Sequence, residues 1–374
     1  MKIVVSPDSF KGSLTAMEAA REVAAGIREV DAAIQTVLLP VADGGEGTLE
    51  PLIMATNGHT VQVHVHDPIG RPILVEYGVL GDGETCVIEM AKASGLTLLK
   101  DDEKNPLIAS TFGTGELILH ALDQGYKKFV VGIGGSATND GGTGMLRALG
   151  MKFLDKTGEE ITEGAEALAK LHKVDNTNFD KRIREAHFII ACDVDNPFIG
   201  PKGATAIFGP QKGVTADLVE IIDQNLFHLA NKIEDVTGIA LHEKPSAGAA
   251  GGLGGAFLAF FPVTLKPGIE VVMEAIDFKA QAEDADFIIT GEGKSDVQTL
   301  SGKAPIGIAN VGKELGVPVI LLSGFIEEES KLQLSSYFYK LASVVGDTVS
   351  KEQSIAQAGY YLRMRTKEVM QSIL

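Results

Sequence analysis

The sequence predicts a two-domain α/β protein. One mostly parallel sheet is shared by both chain ends, and the middle is inserted as a second α/β domain with a mixed sheet. Three observations predict it. The first 50 residues alternate strand, helix and strand, and the last hundred resume that alternation. Between them lie closely spaced strands around glycine-bearing turns, which suggests antiparallel pairing. A chain of 374 residues also exceeds one ordinary core. The expected domains are 1–70 plus 266–374, and 71–265, with breaks at the Pro/Gly-bearing connections 67–72 and 262–268.

The elements follow in order. Ile3 to Val5 is a short buried strand, and Thr36 to Leu39 is its neighbour. Between them Thr15 to Arg28 is a helix, opened by a Thr15–Glu18 capping box and apolar at Ala19, Ala20, Val23, Ala24 and Ile27. Val61–His66, Pro72–Leu80 and Thr85–Met90 are the closely spaced strands. Phe129–Val131 and Phe188–Ala191 are β-branched or aromatic runs that read as strands, the first leading to a helix near Met145–Leu149. Near the end come strand Asp286–Thr290, helix Ala304–Leu315 closed by Gly316, strand Val317–Leu322 and a helix from about Ser354.

Composition narrows the function. The chain is 45% hydrophobic with a mean hydropathy of +0.14, so it buries substantial cores. Its net charge of −17 argues against nucleic acid and anionic membrane as partners. An acidic protein that takes an anionic ligand must gather its cations locally, which makes individual lysines in polar loops informative. The two cysteines, Cys86 and Cys192, sit in apolar runs and read as buried thiols of a reducing compartment. With no signal-peptide pattern and no apolar run near the ~20 residues a span requires, a cytoplasmic protein is expected.

The most distinctive stretch is Gly132–Gly144, G-I-G-G-S-A-T-N-D-G-G-T-G, between a strand and a helix. Glycine at this density signals positive φ or close approach to the backbone. A strand, glycine-rich turn and helix start is a recurrent phosphate-holding arrangement. Four further loops follow strands: Ser6–Ser13, Val41–Thr48, Gly291–Asp296 and Ser323–Gly324. At the carboxyl edge of a parallel sheet they would gather Asp8, Lys11, Asp43, Glu46, Glu292, Lys294 and Asp296. Taken singly, Asp8 and Asp43 equally suit ordinary turns. Carboxylates beside lysines and glycine-rich backbone suit phosphoryl transfer with Mg²⁺. Cys192–Pro197 adds Asp193 and Asp195 after a strand, where a plain turn before Pro197 is the competing reading. Gly248–Gly255 carries no charge and suits backbone packing at least as well as ligand contact.

Other patterns are weaker. Gly291–Ser295 resembles the tail of a P-loop, but Ile288 stands where the required glycine would be. Gly132-x-Gly134-x-x-Ala137 fits a permissive dinucleotide fingerprint whose acidic partner would be Asp155. His64 and His66 share a strand face without a third ligand and read as surface or packing residues.

Taken in order, these strings resemble the glycerate kinase family of the bacterial glycerate 2-kinase type. The matching segments are S-P-D-S-F-K-G-S (6–13), V-A-D-G-G-E-G-T (41–48), G-T-G-E-L-I (113–118) and G-I-G-G-S-A-T-N-D-G-G (132–142). D-V-D-N-P (193–197), G-P-Q-K-G (209–213), G-A-A-G-G-L-G (248–254) and T-G-E-G-K-S-D (290–296) complete them. The resemblance implies a Rossmann-like or flavodoxin-like domain built from both ends, an inserted α/β domain, and an active site in the cleft between them. It further implies ATP-dependent phosphorylation of D-glycerate, with 2-phosphoglycerate the usual product.

The expected reaction is direct transfer of the γ-phosphoryl group from Mg-ATP to a glycerate hydroxyl. Gly134, Gly135, Ser136, Asn139, Asp140, Gly141 and Gly142 are expected to form the phosphate cradle. Asp193, or else Asp296, would position or deprotonate the hydroxyl, while Lys11 and Lys294 meet phosphate or substrate carboxylate. Asp8, Ser9, Lys11, Asp43 and Glu46 are expected around the substrate, and Asp43, Asp195 and Glu292 are candidate Mg²⁺ ligands. Glycerate and ATP are the expected partners of a monomer or homodimer. An NAD-linked hydroxy-acid oxidoreductase and a non-catalytic metabolite sensor are the alternatives.

Overall fold

A computed structural model describes residues 1–42, 47–301 and 303–374. Its strands begin with β1 (Lys2–Pro7), β2 (Gln35–Leu38), β3 (His59–His66), β4 (Pro72–Val79), β5 (Thr85–Glu89) and β6 (Lys128–Gly132). The short pair β7 (Lys152–Leu154) and β8 (Lys173–Asp175) precedes β9 (His187–Ala191) and β10 (Val263–Lys266). The last are β11 (Phe287–Gly291), β12 (Lys294–Ser295), β13 (Val319–Ser323), β14 (Phe325–Ile326) and β15 (Lys340–Ser343). The chain divides into two units, Met1–Thr56 with Pro267–Leu374, and Asn57–Lys266.

In the first unit the sheet runs β2-β1-β11-β13-β15, every pair parallel. Counted in the unit's own chain order this is 2-1-3-4-5, the flavodoxin-like order. Apolar residues alternate between two covered faces. Ile3, Val5, Ile289, Ile320 and Leu322 form one core with the helices Ala16–Val30 and Ala358–Gln371. Those helices meet so closely that a Cβ on Gly26 would lie 2.6 Å from the Arg363 carbonyl oxygen. Thr15 and Glu18 form the expected capping box at the first of them. On the other face Ala304–Leu315 packs against β11, and a Cβ on its Gly312 would touch Ile288.

The second unit has a sheet ordered β3-β4-β5-β6-β9-β10. β3, β4 and β5 pair antiparallel, and β5, β6, β9 and β10 pair parallel. The strands follow chain order without reversal, unlike those of the first unit. Residues 57–70, expected with the first domain, belong here. The correction has a plain cause: β3 zips along the whole of β4, from His59 opposite Val79 to His66 opposite Pro72. The core centres on Phe129 and Phe188, stacked with ring centroids 4.5 Å apart on β6 and β9.

Candidate functional site

In the first unit the strand order reverses between β1 and β11, so the loops that leave these two strands diverge and open a crevice. The structure has a cavity of about 380 Å³ there, lined by Asp8, Ser9, Lys11, Glu292, Lys294 and Asp296 among others. Six of the residues singled out from sequence are thus brought together. Asp43 and Glu46 lie outside the described residues.

Local chemistry shapes each loop. After β1 the chain doubles back through a tight turn, with the Phe10 N–H donating to the Leu14 carbonyl at 2.9 Å. Phe10 is buried, Gly12 takes φ +81°, and Lys11 is left exposed at the tip. The loop after β11 is pressed against its neighbours, since a Cβ on Gly291 would lie 1.8 Å from the Leu322 carbonyl oxygen. Lys294 and Phe325 then pair in the small β12–β14 ribbon.

Charges in the cavity are coupled. The Lys294 ammonium lies 2.7 Å from Glu327 Oε1 and 3.0 Å from Asp296 Oδ2, and these hydrogen bonds hold it above the usual lysine range. Burial works to raise the Asp296 carboxyl, but Lys294 and the Gln298 N–H hold it below the ordinary range. Glu292 is buried, which pushes its carboxyl up against the donated bonds of Thr299 and Ser295 at 2.6 and 2.9 Å. Lys303 and Lys351 also line the cavity. With Lys11 and Lys294 they make four lysines against three carboxylates, Asp8, Glu292 and Asp296. A chain of net charge −17 therefore concentrates cations at the one crevice its topology opens in this sheet.

In the second unit Gly132, Glu89 and Ala191 are level across β6, β5 and β9, so their following loops share one sheet edge. The glycine run divides there into two parts. Gly134 and Gly135 are exposed, and Gly135 takes φ +76°. Residues 136–146 are buried. The cradle expected of Asp140, Gly141 and Gly142 is not available, because their groups are spent internally. The Asp140 carboxylate accepts from the N–H groups of Thr111, Gly142 and Gly144 and from the Thr111 hydroxyl, at 2.8 to 3.1 Å. The Gly141 N–H donates to the Gly251 carbonyl at 3.0 Å. The second glycine cluster closes on this part: a Cβ on Gly251 would lie 2.0 Å from the Thr138 carbonyl oxygen, and one on Gly252 2.8 Å from Gly141 Cα. Asn139 is likewise buried, donating to Thr205 Oγ1 at 2.8 Å.

Asp193 and Asp195 are exposed in the loop after β9, on the strand beside β6. Sequence reasoning missed Lys212. Its side chain is 1% exposed, and its ammonium donates to Ser136 Oγ and the Thr138 carbonyl, both at 2.7 Å. Burial pulls this lysine down to about 7, with Asp140 opposing. The string P-Q-K-G reads locally as a surface turn; only its place in the matching segment G-P-Q-K-G singled it out.

Asp155, the acidic partner a dinucleotide fingerprint needs, instead closes its own turn. Its Oδ1 accepts from the Thr157 and Glu159 N–H groups at 2.7 and 3.1 Å. The NAD reading loses its support. Among the described residues no cluster of three or more His, Cys, Asp or Glu is arranged to hold a metal. Mg²⁺ carried on a nucleotide needs only one or two carboxylates, and Asp8 and Glu292 supply hard oxygen donors within one cavity. No helix among the described residues is long and apolar enough to cross a membrane.

Comparison with known proteins agrees with this geometry. The family model described as the glycerate kinase family matches residues 3–374. The glycerate kinase of Bacillus subtilis (strain 168) is 48% identical over 373 residues, covering 100% of this chain and 98% of that protein. The glycerate 2-kinase of Escherichia coli (strain K12) is 45% identical over 329 residues, 88% of this chain and 86% of that protein. A crystal structure of a glycerate kinase 2 candidate from Salmonella typhimurium LT2 matches with a TM-score of 0.89 at 41% identity, covering 100% and 98% of the two chains. The chain is an enzyme of the kinase class and belongs to the glycerate kinase family.

Proposed function

We propose that this kinase transfers the γ-phosphoryl group of ATP to D-glycerate, giving 2-phospho-D-glycerate and ADP. The observation that carries the reading is the set of four lysines around the first unit's crevice in a strongly acidic chain. Both reactants are anions, and the transfer concentrates negative charge that cations must offset. Lys11 and Lys294 meet phosphate oxygens or the glycerate carboxylate, and Asp8 and Ser9 stand beside them. Gly134, Gly135 and Ser136 receive phosphate oxygens at the edge of the second sheet. Asp193 accepts the hydroxyl proton as the glycerate oxygen bonds to phosphorus and the bond to the ADP oxygen breaks. Asp296 takes that role if Asp193 does not. Mg²⁺, held through Glu292 or Asp195 with Asp43 a further donor, supplies charge neutralisation to the phosphates when bound. Cys86 and Cys192, both unpaired thiols, suit a reducing cytoplasmic setting.

The test is ADP release in a coupled assay, with and without D-glycerate and with and without Mg²⁺. Enolase consumes 2-phosphoglycerate directly, so dehydration of the product without added mutase identifies the phosphorylated hydroxyl. ADP release that glycerate does not stimulate sinks the substrate assignment. Product that enolase leaves untouched sinks the 2-phospho assignment alone.

A further inference from the structure

Resting on the phosphate-receiving role of the loop after β6, we propose that Lys212 is the buried base of an oxyanion site at Gly134–Gly135–Ser136. In this site Lys212 is a positioning residue that acts through Ser136. An ammonium has three donors and no acceptor. Two of the donors go to Ser136 Oγ and the Thr138 carbonyl, both at 2.7 Å, and the group is 1% exposed. While Lys212 is charged, Ser136 therefore cannot return its own proton to it. Among the described residues the Ser136 hydroxyl has no other bonding partner. Its proton is left for a ligand oxygen, beside the exposed backbone of Gly134 and Gly135.

Two observations support a built site over an incidental contact. Burying a lysine is costly, and a fully buried one without a carboxylate in bonding reach is rare. The nearby carboxylate, Asp140, is engaged by Thr111, Gly142 and Gly144 instead. The same stretch also holds two buried polar atoms without a partner among the described residues, Thr138 Oγ1 and Asn139 Oδ1. Such atoms are uncommon in folded proteins and call for an occupant or a function. The ligand class follows from the donors. A phosphate oxygen carries the charge that an N–H-rich turn, a donating hydroxyl and a buried cation favour together.

Burial holds Lys212 near pH 7, against Asp140, the charged group that acts on it. An oxyanion arriving at Ser136 favours the ammonium, so binding takes up a proton above that pH. The full chain is titrated with ADP by calorimetry at pH 8, in buffers of different ionisation enthalpy, to read affinity and proton uptake together. Wild type is expected to take up a fraction of a proton per ADP. Lys212→Met abolishes the uptake and weakens ADP by about tenfold or more. Ser136→Ala weakens ADP and keeps some uptake, and the double variant is no weaker than Lys212→Met alone.

Wild type without proton uptake, Lys212→Met within twofold of wild type, or effects that multiply in the double variant overturn the proposal. If Lys212→Met does not fold, unchanged ADP affinity in Ser136→Ala overturns it. A wild type that shows the expected ADP signature but leaves glycerate unphosphorylated removes the substrate reading and keeps the site. Glycerate phosphorylation with none of the Lys212 signature does the reverse.

Discussion

The two sheets each present loops at their carboxyl edges, yet they build a polar surface by different means. In the first unit the strand order reverses, a crevice opens by topology, and charged side chains line it. In the second unit the strands follow chain order, nothing forces a crevice, and the edge is shaped by glycine. Most of that glycine serves packing: Gly141 lies against Gly252 and Gly142 against Leu253 and Ala256, and of the run only Gly134 and Gly135 are exposed. Glycine density is thus a poor measure of ligand contact. The informative quantity is which glycines keep their backbone N–H groups unspent.

The sharpest attack on this contrast is Asp193→Asn. If the second edge supplies the proton acceptor, kcat falls by about 10²–10⁴-fold with thermal stability unchanged. A few-fold loss in steady-state turnover would return that role to the first unit's Asp296. Next comes Gly251→Ala, which meets the Thr138 carbonyl at 2.0 Å with φ at +68°. It should cost upward of about 3 kcal/mol in chemical denaturation. A well-tolerated alanine there would break the packing account of the buried glycines.

Lys212 offers a pH test of the same buried edge. Its folded value of about 7 lies below the ordinary lysine value of 10.5, so the unfolded chain binds more protons between those limits. Native stability therefore gains with pH across that window, and the burial penalty is fully present below it. Relative to wild type, Lys212→Met should lose roughly 3 kcal/mol of its advantage between pH 6 and pH 9. A gap that does not change with pH would place the lysine in water. Gly135→Ala, strained at φ +76° but with only Ala91 at 3.4 Å, should cost about 1–2 kcal/mol. Its KM for ATP should rise more than its stability falls. Last, Lys294→Met breaks an exposed ion-pair cluster and should shift stability by less than about 1 kcal/mol while activity drops. Equal activity would remove Lys294 from the reaction.

Much of this was legible in sequence because it depends on short-range signals. The helix Ala304–Leu315 closed by Gly316 and the Thr15–Glu18 box are local patterns, and the structure has both. The loops at Ser6–Ser13 and Gly291–Asp296 were placed together because parallel strands share a carboxyl edge. Strand order was not legible, since β15 is the short, half-polar Lys340–Ser343, whose place at the sheet edge is set by packing alone. Asp140 looked like a ligand contact inside a glycine run. Its place just before the helix Thr143–Ala148 was the overlooked sign, since there its carboxylate accepts from the first-turn Gly144 N–H. Lys212 was invisible for the opposite reason: charge reads as surface, and burial is a property of the whole fold.

The insertion of one unit inside the other also sets a timetable for synthesis. β1 is the second strand of its sheet, flanked by β2, made soon after it, and by β11, paired from Ile3 opposite Phe287. At ribosomal speeds the β11 side of β1 stays bare for roughly 15–60 s while the inserted unit is made and folds. A nascent chain must therefore carry an unpaired, apolar strand edge through most of its own translation. Circular permutation that opens the chain in the inserted unit and joins the old termini would make β1 and β11 near neighbours in time, and refolding yield would report the difference.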